Sequence, residues 1–270
     1  MVRCSECHWE TVSETERLEL REHAPSKADA SEEAAYLDGI RGKLRRSRLY
    51  PLLFRLFAPV LVTGPDPGRR YAEEATRGVV IDLGAGNDRR HPEFVNLDLL
   101  PYPEVDIVCD GGRLPVVDQS VDAIVCVVVL EHVPDPVAVI EEASRILKPG
   151  GRLFIAIPFL QPFHAAPHDY RRWTIPGLRE ELRDFDEVDS GVYGGPASAL
   201  TWLAAEWMAL LLSFGSRKLR DRLALPLQAL CSPFKWLDLI LARHPDAARL
   251  ASAVWMDVRK PKGAAGRAEN

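Results

Sequence analysis

The sequence predicts an α/β protein built on a mostly parallel β-sheet. From residue 78 to about residue 192, short apolar runs alternate with helical or turn-rich stretches, which is the rhythm of parallel strands joined by crossover helices. The first run, "VVIDL", is continuous and rich in β-branched residues, as expected of a central strand covered on both faces. A Gly-x-Gly turn at Gly84 and Gly86 follows it, at the strand end where such sheets bind ligands.

The chain is expected to contain four segments around this sheet. They are a charged, partly helical arm (1–76), the sheet core (77–195), a helical insertion (196–250), and a last strand, "ASAVWMDVRK", with a polar tail (251–270). In the arm, Asp29 and Glu32 have the spacing of a capping box at the start of a helix. The insertion thus lies between the last two strands.

Composition limits the classes of protein that fit. The 270 residues suffice for one large domain with appendages, and a net charge of -5 argues against a surface built throughout for nucleic acid. Five scattered cysteines suit a reducing compartment better than a disulfide framework. The N-terminal residues lack the apolar core of a signal peptide, and no apolar run reaches the roughly 20 residues of a membrane span. A cytoplasmic protein is predicted.

The glycine turn does not match a dinucleotide-binding fingerprint. Such a fingerprint has a third glycine three residues after the second, and Arg89 occupies that position. The carboxylate of Asp82, beside the turn, would repel a pyrophosphate but attract a cationic ligand. A ligand other than a diphosphate is therefore expected.

Acidic residues stand at the ends of three successive apolar runs. Asp82 ends the first, Asp98 ends "EFVNLD", and Asp110 ends "VDIVCD". An acid at the second strand end commonly accepts hydrogen bonds from ribose hydroxyls. Asp98 comes only 14 residues after Gly84, so the intervening helix must be short or replaced by a loop. The alternative for each acid is a turn residue without function, because aspartate favours turns.

Four successive motifs resemble those of class I S-adenosylmethionine-dependent methyltransferases, in the subgroup called methyltransferase domain 11. They are "VVIDLGAGN", "VNLDLLP", "VDIVCDGGRLPVVDQSVDAIVCVVVLEHVPDP" and "EASRILKPGGRLFIAIP", and the resemblance extends almost continuously over residues 78 to about 175. The resemblance implies a Rossmann-like, doubly wound sheet of seven strands, with S-adenosyl-L-methionine as the cofactor. The "LKPGG" turn would launch the fifth strand, with Gly150 ending the preceding helix and Asp135 and Pro136 starting it.

The resemblance also implies cofactor-binding roles for residues at four strand ends. The first strand end would lie beside the amino acid part of the cofactor, the second would hold the ribose, the third the adenine, and the fourth would lie along the methionine moiety. In that order the residues are Asp82, Gly84, Gly86 and Asn87; Asp98; Asp110 and Gly111; and Val127 with Val128. Asn87 and Asp88 depart from the usual pattern, since many members have a third small residue and a full helix there.

Candidate catalytic residues follow the fourth and fifth strands. His132 lies in "LEHV", and His164, His168 and Tyr170 lie in "PFHAAPHDYRRWT". Methyl transfer to a hydroxyl requires removal of a proton, so His168, His132 and His164 are the candidate bases, and Tyr170 would add an aromatic wall to the catalytic site. The alternatives are a capping or packing role for His132, and a loop that closes over the cofactor without doing chemistry.

The segments before and after the sheet core indicate what the protein could contact. "CSEC" and His8 provide too few ligands for a local four-ligand zinc site, so no metal is assigned. The basic stretch "RGKLRRSRLYPLLFRLFAPVL" would suit either an anionic membrane surface or packing over the crevice. The apolar segment "ASALTWLAAEWMALLLSF" is expected to pack against residues 49–62, a second subunit or an apolar acceptor. Peripheral membrane contact and a homodimer are the interactions these segments would allow.

Together these features predict methyl transfer to a small-molecule or glycolipid-like, lipid-linked acceptor, by O-methylation in preference to N- or C-methylation. DNA is not expected as a partner, because the fourth strand ends in "VLEHVPDP" and lacks the Asp/Asn-Pro-Pro-aromatic motif of amino-methylating DNA enzymes. One alternative is a non-catalytic, cofactor-binding regulatory or scaffolding subunit. A further alternative is a protein or RNA methyltransferase.

Overall fold

The computed structural model describes residues 2–3, 10–11, 18–19, 56–164 and 168–262. The helix predicted from Asp29 and Glu32, the pair Cys4 and Cys7, and the basic stretch up to residue 55 lie outside the described residues. The division of the chain into four segments stays a prediction.

The strands form two sheets. Their bounds are β1 (Val2–Arg3), β2 (Glu10–Thr11), β3 (Leu18–Glu19), β4 (Val80–Leu83), β5 (Val95–Asp98), β6 (Ile107–Val108), β7 (Val121–Val127), β8 (Leu147–Pro158), β9 (Asp186–Gly194) and β10 (Ala253–Arg259). β1 and β2 pair antiparallel, and the other eight form one sheet in the order β3-β6-β5-β4-β7-β8-β10-β9.

The large sheet has the predicted mixed character. Its strands from β3 to β8 pair in parallel, whereas β10 is antiparallel to both of its neighbours, β8 and β9. Seven of its strands are the predicted ones, and the two-residue β3 extends the sheet by one at its edge. The α/β, doubly wound fold class is confirmed.

The helices cover the sheet and fill the predicted insertion. Their bounds are α1 (Pro67–Arg70), α2 (Ala72–Arg77), α3 (Pro136–Ile146), α4 (Ile175–Glu181), α5 (Pro196–Leu212), α6 (Arg217–Cys231) and α7 (Asp238–Leu241), with 3-10 turns at Leu130–His132, Ser232–Leu237 and Ala247–Leu250. α5, α6 and α7 lie between β9 and β10, so the helical insertion between the last two strands is confirmed. None of the described helices is long and apolar enough to cross a membrane.

Apolar residues pack on both faces of the sheet, because neighbouring residues of a strand point to opposite sides. Ile81 and Ile124 contribute to the core on one face, together with residues of α3 and α4. Val80 and Val125 contribute to a second core on the other face, which also contains Tyr71. Burial on both faces explains why these strands read as continuous apolar runs.

Helix α3 begins as predicted but ends earlier. The Oδ1 atom of Asp135 accepts a hydrogen bond from the N–H of Ala138, and Pro136 occupies the first helical position. The expectation that Gly150 ends this helix was wrong, because the helix ends at Ile146 and the chain continues directly into β8. Gly150 instead lies within β8 with a φ of 84°, so the "LKPGG" stretch is part of the strand and not a turn before it, and the Gly150 N–H donates to the carbonyl of Lys260.

Helix α5 buries its small residues and exposes its large ones. Ala197, Ser198, Thr201, Ala205 and Ala209 are buried against the rest of the protein. Most large apolar side chains of the helix, together with Phe214 just after it, are exposed: Leu200, Leu203, Trp207, Leu210, Leu211 and Leu212. Small inward residues let the helix backbone approach its neighbours closely, which leaves an apolar outer surface.

This orientation predicts that two substitutions on α5 will differ in their effect on the free energy of unfolding. Trp207→Ser, at a side chain 63% exposed, is expected to change the free energy of unfolding by no more than about 0.5 kcal/mol. Ala209→Leu, at a fully buried position, should cost about 1–3 kcal/mol through overpacking. Urea denaturation of both variants measures the difference. A loss above about 2 kcal/mol in Trp207→Ser would show that another part of the protein covers this face.

Candidate functional site

The glycine turn after β4 has the backbone that its sequence predicts. Gly84 has a φ of 72°, and its N–H donates to the carbonyl of Leu97 in β5. A Cβ atom at Gly84 would lie 2.3 Å from a methyl carbon of Val129, so no larger residue fits there. Gly86 has a φ of 60°, and a Cβ atom added there would meet nothing within 4 Å. The turn is therefore closed at Gly84 and open at Gly86.

Asp98 connects this turn to the end of β5. Its Oδ2 atom accepts a hydrogen bond of 2.8 Å from the N–H of Gly86, and its Oδ1 atom accepts one of 2.8 Å from Leu100. Burial raises the pKa of the Asp98 carboxyl, and these backbone N–H groups act against that rise. Because each carboxylate oxygen can accept more than one hydrogen bond, both oxygens keep capacity for a ligand hydroxyl. The loop between β4 and β5 has no helix, as the short spacing predicted.

The third strand end is more open. Asp110 is exposed, and its Oδ1 atom accepts a hydrogen bond of 2.8 Å from the N–H of Gly112. A Cβ atom at Gly111 would make only ordinary contacts, 3.6 Å from Leu83 at the nearest. Asn87, between the first and second strand ends, is also exposed. The cofactor roles of these residues stay predictions.

Asp82 has a partner within the protein that sequence reasoning missed. Its side chain is fully buried in β4, and its Oδ2 atom lies 2.9 Å from Nε of Arg90. Burial raises the pKa of the Asp82 carboxyl to about 6, and the positive charge of Arg90 opposes this rise. The predicted contact of Asp82 with the amino acid part of the cofactor stays a prediction.

The raised pKa predicts a pH-dependent contribution of Asp82 to stability. The folded protein binds this proton more tightly than the unfolded chain, so the stabilisation is complete below pH 3.8 and is lost as the pH rises through about 6. Between pH 4 and pH 7 the parent should lose about 2–3 kcal/mol of unfolding free energy relative to Asp82→Asn. Urea denaturation at several pH values measures this, with Asp184→Asn, at an exposed site, as the control. A difference independent of pH would contradict the raised pKa.

The end of β7 contains a strained residue. Val127 is buried as the last residue of this strand, and Val128 follows with a φ of 59°. A β-branched residue in this left-handed region is unfavourable, so the surrounding structure must hold it. The N–H of Val128 donates a hydrogen bond of 2.8 Å to the carbonyl of Ala156 in β8, which fixes this conformation.

Two histidines and a buried glutamate meet just after β7. His132 and His164 place their rings at right angles, with centroids 5.3 Å apart. The side chain of Glu131 is fully buried between them, and its Oε1 atom lies 3.6 Å from Nε2 of His132 and 3.8 Å from Nε2 of His164. The indole of Trp202, from α5, lies 5.6 Å from the His164 ring, so the insertion contributes to this site.

The other two predicted catalytic residues lie at the rim of this cluster. The side chains of His168 and Tyr170 are exposed, and their rings lie 5.4 Å apart. His168 contacts His132 through its backbone, because its carbonyl oxygen lies 2.6 Å from Nδ1 of His132. Asp169 pairs with Arg172 and accepts the N–H of His164, which holds the loop against the cluster. The catalytic roles of His168, His132 and Tyr170 stay predictions.

Comparison with known proteins identifies the central part of this chain. The sequence profile of the family described as "Methyltransferase domain" matches residues 70–155. Residues 70–155 thus resemble a methyltransferase domain. They contain β4 to β7, most of β8, and every candidate residue for cofactor binding.

Relatives and solved structures show how far the similarity extends. The ubiquinone biosynthesis O-methyltransferase of Xanthomonas oryzae pv. oryzae (strain PXO99A) is 57% identical over 88 residues, which cover 31% of this chain and 34% of that protein. The enzyme of the same name from Xylella fastidiosa (strain M23) is 57% identical over 35 residues, 13% of this chain and 14% of that protein. The chain thus spans about a third or less of the length of these relatives.

Two solved structures cover more of the chain at low sequence identity. The putative sarcosine dimethylglycine methyltransferase from Galdieria sulphuraria is 16% identical, with a TM-score of 0.48, over 78% of this chain and 98% of that one. The Burkholderia thailandensis 1,6-didemethyltoxoflavin-N1-methyltransferase is 18% identical, with a TM-score of 0.44, over 84% and 89% of the two chains.

The residues around the glycine turn fit S-adenosylmethionine, the cofactor that the resemblance implies, in part. The space above Gly86 is open, and Asp98 beside it keeps acceptor capacity for ribose hydroxyls. Arg90 compensates the charge of the buried Asp82 carboxylate. The ammonium group of the cofactor would therefore face an ion pair at this position and not an unpaired carboxylate. The residues therefore fit the cofactor best at its ribose.

Proposed function

We propose that this methyltransferase domain transfers a methyl group from S-adenosylmethionine to a hydroxyl of a small-molecule or lipid-linked acceptor. The observation that carries the proposal is the hydrogen bond of 2.8 Å between Asp98 and the open glycine turn at Gly86. It holds an acidic acceptor and exposed backbone side by side at the carboxyl ends of β4 and β5. Ligands bind sheets of this class at such strand ends.

The acceptor side of the proposal rests on the cluster after β7. Transfer to oxygen requires removal of a proton, and His132 and His164 provide imidazoles beside the buried Glu131. The matched relatives from Xanthomonas and Xylella are named O-methyltransferases, which supports oxygen as the acceptor atom. Trp202 beside His164 provides an aromatic wall for an apolar or aromatic acceptor.

The residues of this chain would hold the reactants and move one proton. S-adenosylmethionine supplies a methyl group already activated by its sulfonium. Asp98 would accept hydrogen bonds from the ribose, and Asp110 with Gly111 would contact the adenine. His132 donates its Nδ1–H to the carbonyl of His168, which leaves its Nε2 atom free to take the proton of the acceptor hydroxyl. Holding donor and acceptor in line provides much of the remaining rate enhancement.

The experiment that tests this proposal separates binding from transfer. Isothermal titration calorimetry with S-adenosylmethionine and S-adenosylhomocysteine should show one site per chain. Incubation with methyl-labelled cofactor and a panel of phenolic, catecholic and lipid-linked hydroxyl compounds should label at least one of them. A label found only on amines or on protein, or no transfer despite cofactor binding, would contradict the proposal.

A non-catalytic scaffolding role is the second candidate, and the outer face of α5 favours it. Its exposed Trp207, Leu210 and Leu211 offer an apolar surface that a partner could cover. Cofactor binding without transfer to any class of acceptor would support this role. The cytoplasmic location, peripheral membrane contact and homodimer stay predictions.

A further inference from the structure

The cluster after β7 contains an uncompensated buried carboxylate. The side chain of Glu131 is 0% exposed, and neither of its oxygens has a hydrogen-bond partner among the residues that the structure describes. Its Oε1 atom faces the Nε2 atoms of His132 and His164 at 3.6 Å and 3.8 Å. One ligand atom from each of these three residues lies within 4.8 Å of the other two.

Hydrogen bonds on the far side of each ring indicate which nitrogen carries the proton. Nδ1 of His132 lies 2.6 Å from the carbonyl oxygen of His168, which can only accept, so this nitrogen is the donor. Nδ1 of His164 lies 3.2 Å from the carbonyl of Pro162, which favours the same tautomer. The guanidinium of Arg172 is also 3.4 Å from that nitrogen, but it donates to Pro162 as well, at 3.2 Å. In this tautomer each neutral ring keeps an unprotonated Nε2 atom on the side of Glu131.

Three acceptors this close together, one of them a fully buried carboxylate, are unfavourable without a positive charge between them. A buried carboxylate is costly unless it is paired or coordinates a metal. We propose that Glu131, His132 and His164 bind a divalent transition-metal ion, with Zn²⁺ as the representative. Two imidazoles and one carboxylate form a known ligand set for zinc and for other divalent transition metals.

The surroundings of the three ligands resemble those of known metal sites. Ligating histidines usually donate their second ring N–H to a carbonyl or carboxylate, and here a carbonyl oxygen lies within hydrogen-bond distance of Nδ1 of each ring. Ligands about 2.0–2.2 Å from zinc lie roughly 3.3–3.5 Å apart in a tetrahedral site, so the two distances from Glu131 to the histidines, 3.6 Å and 3.8 Å, need to shorten by only a few tenths of an ångström. The His132 and His164 side chains are 14% and 23% exposed, which gives an ion access from solvent.

Three protein ligands leave a fourth coordination position open, as in catalytic zinc sites. An acceptor hydroxyl bound there would have a lowered pKa and would lose its proton at neutral pH. His132 would then act as a ligand and not as the proton acceptor. This last step rests on the proposed function, whereas the metal site itself does not.

The test measures metal binding without cofactor or acceptor. Cys4→Ser/Cys7→Ser serves as the parent, because the "CSEC" pair is a second source of metal ligands. The chelator-treated parent is titrated with Co²⁺, whose visible absorption reports nitrogen and oxygen ligation, and then with Zn²⁺ in competition. One equivalent is expected to bind. Glu131→Gln and His164→Ala should each weaken binding by at least about 100-fold. His244→Ala, which removes a histidine outside this cluster, should bind like the parent.

Circular dichroism shows whether each variant is folded, and His164→Ala, at a partly exposed position, keeps the test decisive if Glu131→Gln unfolds. The proposal is overturned if the parent shows no saturable site, or if a folded variant binds the ion as tightly as the parent. Metal binding without methyl transfer would contradict only the proposed function. Transfer by a metal-free protein, at a rate that Zn²⁺ does not change, would limit the site to a structural role.

Discussion

Replacing His132 by alanine is expected to lower the turnover number for methyl transfer by roughly 10²–10⁴, with little change in cofactor affinity. The imidazole stands beside the buried Glu131, and its Nδ1–H is already engaged by the carbonyl of His168. The variant therefore lacks the imidazole that takes the proton of the acceptor hydroxyl. Single-turnover kinetics with labelled cofactor, together with calorimetry, separates the chemical step from cofactor binding.

His168→Ala is the matched comparison for this prediction. The substitution removes an exposed ring but keeps the backbone carbonyl that orients His132. A decrease in turnover of no more than about tenfold is therefore expected. If His168→Ala lowers turnover as much as His132→Ala does, the His168 ring takes part in removing the proton and His132 is not the sole base.

Asp98→Ala should weaken S-adenosylmethionine binding by roughly 30- to 1,000-fold, which corresponds to about 2–4 kcal/mol. Two effects add to this loss. The variant lacks the charged acceptor for the ribose hydroxyls, and charge-assisted hydrogen bonds are the stronger ones. It also lacks the Oδ2 atom that receives the N–H of Gly86, so the glycine turn is no longer connected to β5. Calorimetry measures the affinity.

The Asp98→Asn variant distinguishes these two effects. It keeps one of the two oxygen acceptors and nearly the same volume, so an affinity between those of the parent and the alanine variant is expected. Thermal unfolding without cofactor shows whether either variant disturbs the fold. An Asp98→Ala protein that binds the cofactor as well as the parent would exclude the ribose role.

The parts of the fold that followed from local chemistry were predictable. The run containing Val80 and Ile81 reads as a buried strand because both faces of the sheet are covered. Asp135 and Pro136 start α3 as their capping preferences require. The end of α3 was not predictable from Gly150, because the chain enters β8 at Leu147, before the glycine.

The site was predictable only where strand order determines it. His132 and His164 follow β7 and β8, which are parallel neighbours, so their proximity is a consequence of the topology. No sequence pattern indicated that Glu131 would be buried, since an acid in a turn is usually exposed. The pairing of Asp82 with Arg90 depends on the path of an irregular loop, which no periodic pattern encodes.

Helix α5 illustrates a different limit of prediction from sequence, namely which face of a helix is buried. Its many large apolar residues indicated that one buried stripe could not accommodate all of them. The sequence did not indicate that Ala205 and Ala209 would face inward while Trp207 faces outward. Hydrophobicity alone favours the opposite orientation, and close approach of backbones overrides it here.

The position of β10 has a consequence for the order in which the protein can be assembled during synthesis. β10 lies between β8 and β9, although α5, α6 and α7 are made before it. Until the ribosome has released residues 253–259, β8 and β9 each present an unpaired edge, and such edges recruit strands of other chains. The sheet is therefore completed only when β10 inserts between β8 and β9. A chain that stops before residue 253 should aggregate during its synthesis.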